Sequence, residues 1–108
     1  MRETTDKTPT TDQGWLGQEM VDQKHNRIGR VVDVIYDTDT DPMPDWAVVN
    51  AGMFAGAHYV PLGEAYRTRD GRLVVPYDKT TVRRSPRADR SHILTPDVRR
   101  VAGHHYGG

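Results

Sequence analysis

The run Asp37-Thr38-Asp39-Thr40-Asp41 places three carboxylates at alternate positions, a pattern that could offer oxygen ligands to a hard cation. An EF-hand loop starting at Asp37 would need glycine at its sixth position and glutamate at its twelfth. The chain has Pro42 and Val48 there, so that loop is excluded. What remains is a looser cation site, or a solvated turn whose aspartates accept from neighbouring backbone N–H groups. The histidines His25, His58, His92, His104 and His105 are scattered. A zinc centre needs three or four converging ligands, and adjacent helical residues such as His104 and His105 point about 100° apart. The expectation is no metal centre. Serine occurs only at Ser85 and Ser91, outside any G-x-S-x-G turn. His92 is a chain neighbour of Ser91, which is not the geometry a general base requires. Glutamate is scarce (Glu3, Glu19, Glu64), and the glycines form neither G-x-G-x-x-G nor a P-loop. Cysteine is absent, which excludes disulfides, thiolate zinc sites and cysteine nucleophiles. The reading is a chain that is not an enzyme and takes no cofactor.

Charge is more informative. Lys plus Arg equals Asp plus Glu at 15 each, which argues against a chain built mainly to coat nucleic acid or an anionic membrane. The balance hides a segregation. Between Arg30 and Arg67 there is no Lys or Arg, but there are Asp33, Asp37, Asp39, Asp41, Asp45 and Glu64. From Arg83 to Arg100 the arginines are 83, 84, 87, 90, 99 and 100, against Asp89 and Asp97. Three readings follow: the basic segment packs on an acidic face, within a protomer or across a dimer; it touches RNA phosphates; or it is a solvated tail. No aromatic side chains are interleaved with these arginines to stack bases, which lowers the RNA reading.

Trp15, Trp46, Met53, Phe54 and Tyr59 are the large side chains available for an apolar patch. Met53-Phe54 sits between Gly52 and Gly56, where it either folds back over a core or makes a dimer contact. The candidate interface is therefore Trp46, Met53, Phe54 and Tyr59, with Arg83, Arg84 and Arg87.

These residues need a scaffold, and 108 residues supply one domain with a modest core. Residues 1–13 contain no apolar side chain after Met1 and are expected to be a disordered tail without a signal peptide. No apolar run approaches a membrane span, so a cytoplasmic location is expected. Ile28–Thr38, Trp46–Ala51, His58–Leu62, Leu73–Tyr77 and Thr80–Arg83 read as strands, with a bulge or tight bend at Gly29 and a hairpin at Asp70-Gly71. The first of these is apolar on both faces, as expected of a strand between two layers or one whose facing is switched by a bulge. Thr95-Pro96-Asp97 predicts a short helix, with Val98 and Val101 on one face and a stop near Gly103. The fold class is all-β: a small barrel of about six strands, a short C-terminal helix and a disordered N-terminus.

Several pieces in register carry a family likeness: Gly17-Gln18-Glu19-Met20-Val21-Asp22, Ile28-Gly29-Arg30-Val31-Val32-Asp33-Val34, Trp46-Ala47-Val48-Val49, Val60-Pro61-Leu62, Val75-Pro76-Tyr77-Asp78-Lys79, Val82 and Ser85-Pro86. In this order they resemble the PRC-barrel domain, the small β-barrel shared by the H subunit of purple-bacterial reaction centres and the C-terminal part of a ribosome-maturation factor. The resemblance covers about residues 14–86, leaving 87–108 as a basic linker and helix similar to those of small stand-alone bacterial members. It implies an assembly module and does not imply an enzyme. The expected role is a homodimeric adaptor with self, and then another protein, as its partner; the alternative is RNA or ribosome association through the C-terminal arginines.

Overall fold

The computed structural model describes residues 14–37, 43–52 and 56–107. The N-terminal tail, the Thr38–Pro42 part of the aspartate run and Met53-Phe54 lie outside the described residues. The strands are β1 (Glu19–Val21), β2 (Arg27–Ile35), β3 (Trp46–Asn50), β4 (Ala57–Pro61), β5 (Tyr66–Arg67) and β6 (Leu73–Val74). The helices are α1 (Lys79–Arg84) and α2 (Pro96–His105). One six-stranded sheet runs in the order β4-β3-β2-β1-β6-β5. All its pairings are antiparallel except that of β1 with β6. The six strands match the expected number. Their hydrogen-bonded ladder is open, with no pairing among the described residues between the end strands β4 and β5.

The two-faced apolar character of β2 has a local cause. Val31 pairs with Val49, but Asp33 pairs with Val48, so Val32 is an extra residue in a bulge. Without it, residues 31, 33 and 35 would share a face. With it, Val31 and Val34 both enter the first core cluster, Val32 is turned into solvent at 42% exposure, and Ile35 packs on the second cluster. At Gly29 there is no room for a side chain. A Cβ there would lie 2.1 Å from the Asn50 carbonyl oxygen and 3.0 Å from the Ala51 Cα.

β3 shows strict alternation. Ala47 and Val49 join Met20, Ile28, Val60, Leu62, Leu73 and Val75 in the first cluster. Trp46 and Val48 join Tyr59, Leu94 and Ala102 in the second. The sheet is thus covered on both sides here, which is why Trp46–Val49 is a continuous apolar run.

Two expectations are corrected. Thr80–Arg83 is helical despite its β-branched residues. The Asp78 carboxylate caps the helix by accepting from the Thr81 N–H at 2.8 Å, and the turn buries Val82 completely. α1 then stops at Ser85, before Pro86, as the residue ahead of a proline disfavours helix. α2 begins as expected, with the Thr95 hydroxyl accepting from Val98 N–H, but it continues past Gly103 to His105. Its inward stripe is Val98, Ala102 and Tyr106, while Val101 is 53% exposed.

Gly29→Ala should destabilise the chain by on the order of 2–4 kcal/mol, because a backbone carbonyl cannot yield as a flexible side chain would. Urea unfolding checks this; an unchanged midpoint would contradict the close approach of β2 to Asn50.

Candidate functional site

The buried polar side chains hold backbone in place. Asp22 closes the β1–β2 turn: its Oδ1 accepts from the N–H groups of Lys24 and Asn26, each at 2.9 Å. His25 lies within this loop in the left-handed region at φ 69°. His58 is buried on β4, its Nδ1 at 3.0 Å from the Ser85 carbonyl oxygen. A carbonyl only accepts, so Nδ1 carries the proton. The Ser85 hydroxyl, 3.2 Å from the same nitrogen, donates to the Val82 carbonyl at 2.7 Å. This serine–histidine contact therefore seals the end of α1, with both protons committed away from a nucleophile's geometry. Ser91 and His92 point apart: Ser91 Oγ donates to Asp89 at 2.6 Å, and His92 Nδ1 lies 2.9 Å from Asp33 Oδ2.

A cleft of about 330 Å³ is lined by Asp22, Gln23, Lys24, Asn26, Pro76, Tyr77 and Asp78. Its two carboxylates are the turn and helix caps just described, and the bond from Thr81 holds the Asp78 carboxyl below its ordinary value. Among the described residues, no three His, Asp or Glu side chains are grouped to hold a metal ion.

The second face of the sheet is built differently. Trp46 and Tyr59, expected in an exposed interface, are 7% and 1% exposed. They are corrected to core residues: Leu94, Val98, Ala102 and Tyr106 of the C-terminal segment cover them. The stretch that leads into this segment, together with Tyr106, covers the outer edge of β4. The Ala88 N–H donates to the Ala57 carbonyl at 2.8 Å, beside an isolated bridge between His58 and Arg87. The Tyr106 hydroxyl donates to the Tyr59 carbonyl at 2.8 Å. Pro61 has no N–H to offer. An edge that could template pairing with another chain is thereby blunted.

Tyr106 was not singled out by the sequence reading, yet it packs against both core clusters and meets Tyr77 in a tilted ring contact, 4.6 Å between centroids and 57° between planes. The available signal was its i, i+4, i+8 spacing with Val98 and Ala102. Burial pushes its hydroxyl pKa up to about 12 from 10.0. Beside it, the His105 Nε2–H donates to the Thr81 carbonyl at 2.7 Å, tying α2 to α1.

The acidic and arginine-rich segments do meet within the protomer. Arg99 on α2 pairs with Asp37, and His92 with Asp33. Asp45 accepts from the Asp37 N–H at 2.7 Å. Arg83, Arg84 and Arg87 are exposed. Arg83 approaches Gly52 and Arg87 approaches Gly56, so these two lie beside the described ends of the β3–β4 connection.

The profile of the PRC-barrel domain matches residues 14–82, which hold all six strands and the capped start of α1. The chain belongs to the PRC-barrel domain family. No curated protein matches the sequence. The family match ends inside α1, so the cover over the second face, Leu94 to Tyr106, lies beyond the matched PRC-barrel region.

The Tyr106 hydroxyl is stabilised as its neutral form, so its contribution to stability is complete below pH 10 and is lost as pH rises through about 12. Tyr106→Phe should lose about 0.5–1.5 kcal/mol at neutral pH with the bond to Tyr59. It should also unfold with a flatter pH dependence than the parent above pH 10. Thermal denaturation at neutral and alkaline pH tests both; parallel profiles would show that Tyr106 does not carry the alkaline loss.

Proposed function

We propose that this chain is a non-enzymatic docking module that acts in the cytoplasm as a homodimer and adaptor. One contrast carries the reading. Its buried polar groups Asp22, His58 and Ser85 are committed to turns and helix ends, while large apolar side chains remain in solvent. Val32 is 42%, Ile93 61% and Val101 53% exposed. Val32 and Ile93 are the chain neighbours of the bonded pair Asp33 and His92, so apolar area surrounds a polar contact, the composition of a protein interface. We also infer that the sheet wraps around its first cluster as a barrel wall, since that one cluster holds both Val60 of β4 and Leu73 of β6. Among the described residues, no helix is long and apolar enough to cross a membrane.

A second reading, RNA or ribosome association, is favoured by the exposed Arg83, Arg84 and Arg87, of which Arg83 and Arg87 lie beside Gly52 and Gly56 at one end of the β3–β4 hairpin.

Light scattering at micromolar concentrations should return twice the chain mass of 12.2 kDa. Ile93→Glu should shift it toward the monomer, with little effect of added salt on the parent dimer. A monomeric mass throughout would remove the self-association. Capture of ribosomal RNA that is lost on replacing Arg83, Arg84 and Arg87 by alanine would move the assignment to the second reading.

A further inference from the structure

We propose that two copies associate by exchanging their C-terminal segments, so that residues Leu94–Tyr106 of each chain cover the second sheet face of the other. This rests on the self-association above and says how it is achieved. The segment is built as a separable ligand. It has its own helix caps at Thr95 and Tyr106, and it lies outside the matched domain. It fills one continuous surface made of Trp46, Val48, Tyr59 and the β4 edge. A surface complementary to this segment in one chain is complementary to the identical segment of a second chain, so exchange needs no new interface of its own.

The connection between cover and sheet is the place where exchange can start. Residues 89–93 fold back tightly: Asp89 Oδ1 accepts from the Ser91 N–H at 3.0 Å, and the His92 N–H donates to the Asp89 carbonyl at 3.1 Å. To complete the turn, His92 is held at φ 56°, a left-handed conformation disfavoured for a residue with a Cβ. Short strained hinges favour the extended, exchanged form, in which the turn is released. When two such hinges run past each other, Ile93, the most exposed large apolar side chain of the described residues, meets the second copy. The occupant of the face is thereby a second copy of this chain.

The exposed pair Arg99–Asp37 joins the cover to the sheet and gives a test in the full-length chain. D37R and R99D each break the pair. In an exchanged heterodimer of the two variants, both pairs are rebuilt, one native and one reversed. In a dimer without exchange, the pair stays within each chain and is mismatched in every assembly. Native mass spectrometry of an equimolar mixture, incubated until subunits re-equilibrate, should therefore show heterodimer above the statistical half. A second variant, deletion of Arg90 and Ser91, shortens the hinge below what folding back requires, and should be dimeric at concentrations where the parent is partly monomeric. A dimer with statistical mixing overturns the exchange and leaves self-association standing. A strictly monomeric parent overturns both. A hinge-shortened chain that is folded and monomeric overturns the exchange alone.

Discussion

Burial of both faces of β3 is the constraint on which the rest of this molecule depends. Ala47 and Val49 belong to one cluster and Trp46 and Val48 to the other, so the strand is stable only if something covers each side. Fully burying a large apolar side chain is worth about 1.5–3 kcal/mol. The second cluster has Trp46, Val48 and Tyr59 on the sheet side, so its cover is worth several kcal/mol, comparable with the net stability of an ordinary domain. The C-terminal helix is therefore part of the folding unit, although the family match ends before it.

That constraint explains the placement of the polar residues. A segment that must cross the sheet and lie on its far face needs turns, caps and an anchored end. Asp89 and Ser91 make the turn, Thr95 caps the helix, and Tyr106 anchors the end by bonding the Tyr59 carbonyl. The pairs Asp33–His92 and Asp37–Arg99 sit at the margin of the covered face. They are partly exposed, so each adds little energy and mainly selects where the cover lands. The same economy appears beneath α1, where His58 donates to the Ser85 carbonyl and the Ser85 hydroxyl donates to the Val82 carbonyl.

Much of the sheet was legible because strand residues report on their immediate surroundings. Val31 to Ile35, Trp46 to Val49 and His58 to Pro61 combine β-branched or aromatic side chains with flanking turn residues, and each is a strand. Gly29 was read as a bulge or tight bend. The β1–β2 ladder does shift register there, Met20 pairing with Gly29 and Val21 with Arg27; a second bulge, at Val32, lies between β2 and β3, and Gly29 also admits the close approach of Asn50. Thr80–Arg83 misled because propensity favoured a strand, while the Asp78 cap and the burial of Val82 selected a helix. The apolar helical face was half right: Val98 faces inward, but its partners are Ala102 and Tyr106, with Val101 on the opposite side.

By itself, the sequence determined the local elements, the capped start of the C-terminal helix, the segregation of acidic from arginine-rich segments and the family of the fold. These follow from periodicity, turn chemistry and residue order, which are written along the chain. Only the tertiary structure decided that Trp46 and Tyr59 are core, that Arg99 reaches Asp37, and that Tyr106 joins two clusters. Each of these depends on residues far apart in the chain, 47 positions for Tyr59 and Tyr106 and 62 for Asp37 and Arg99, meeting in the fold. An apolar side chain looks the same in sequence whether a partner protein covers it or the chain's own end does; only the path of the backbone settles which.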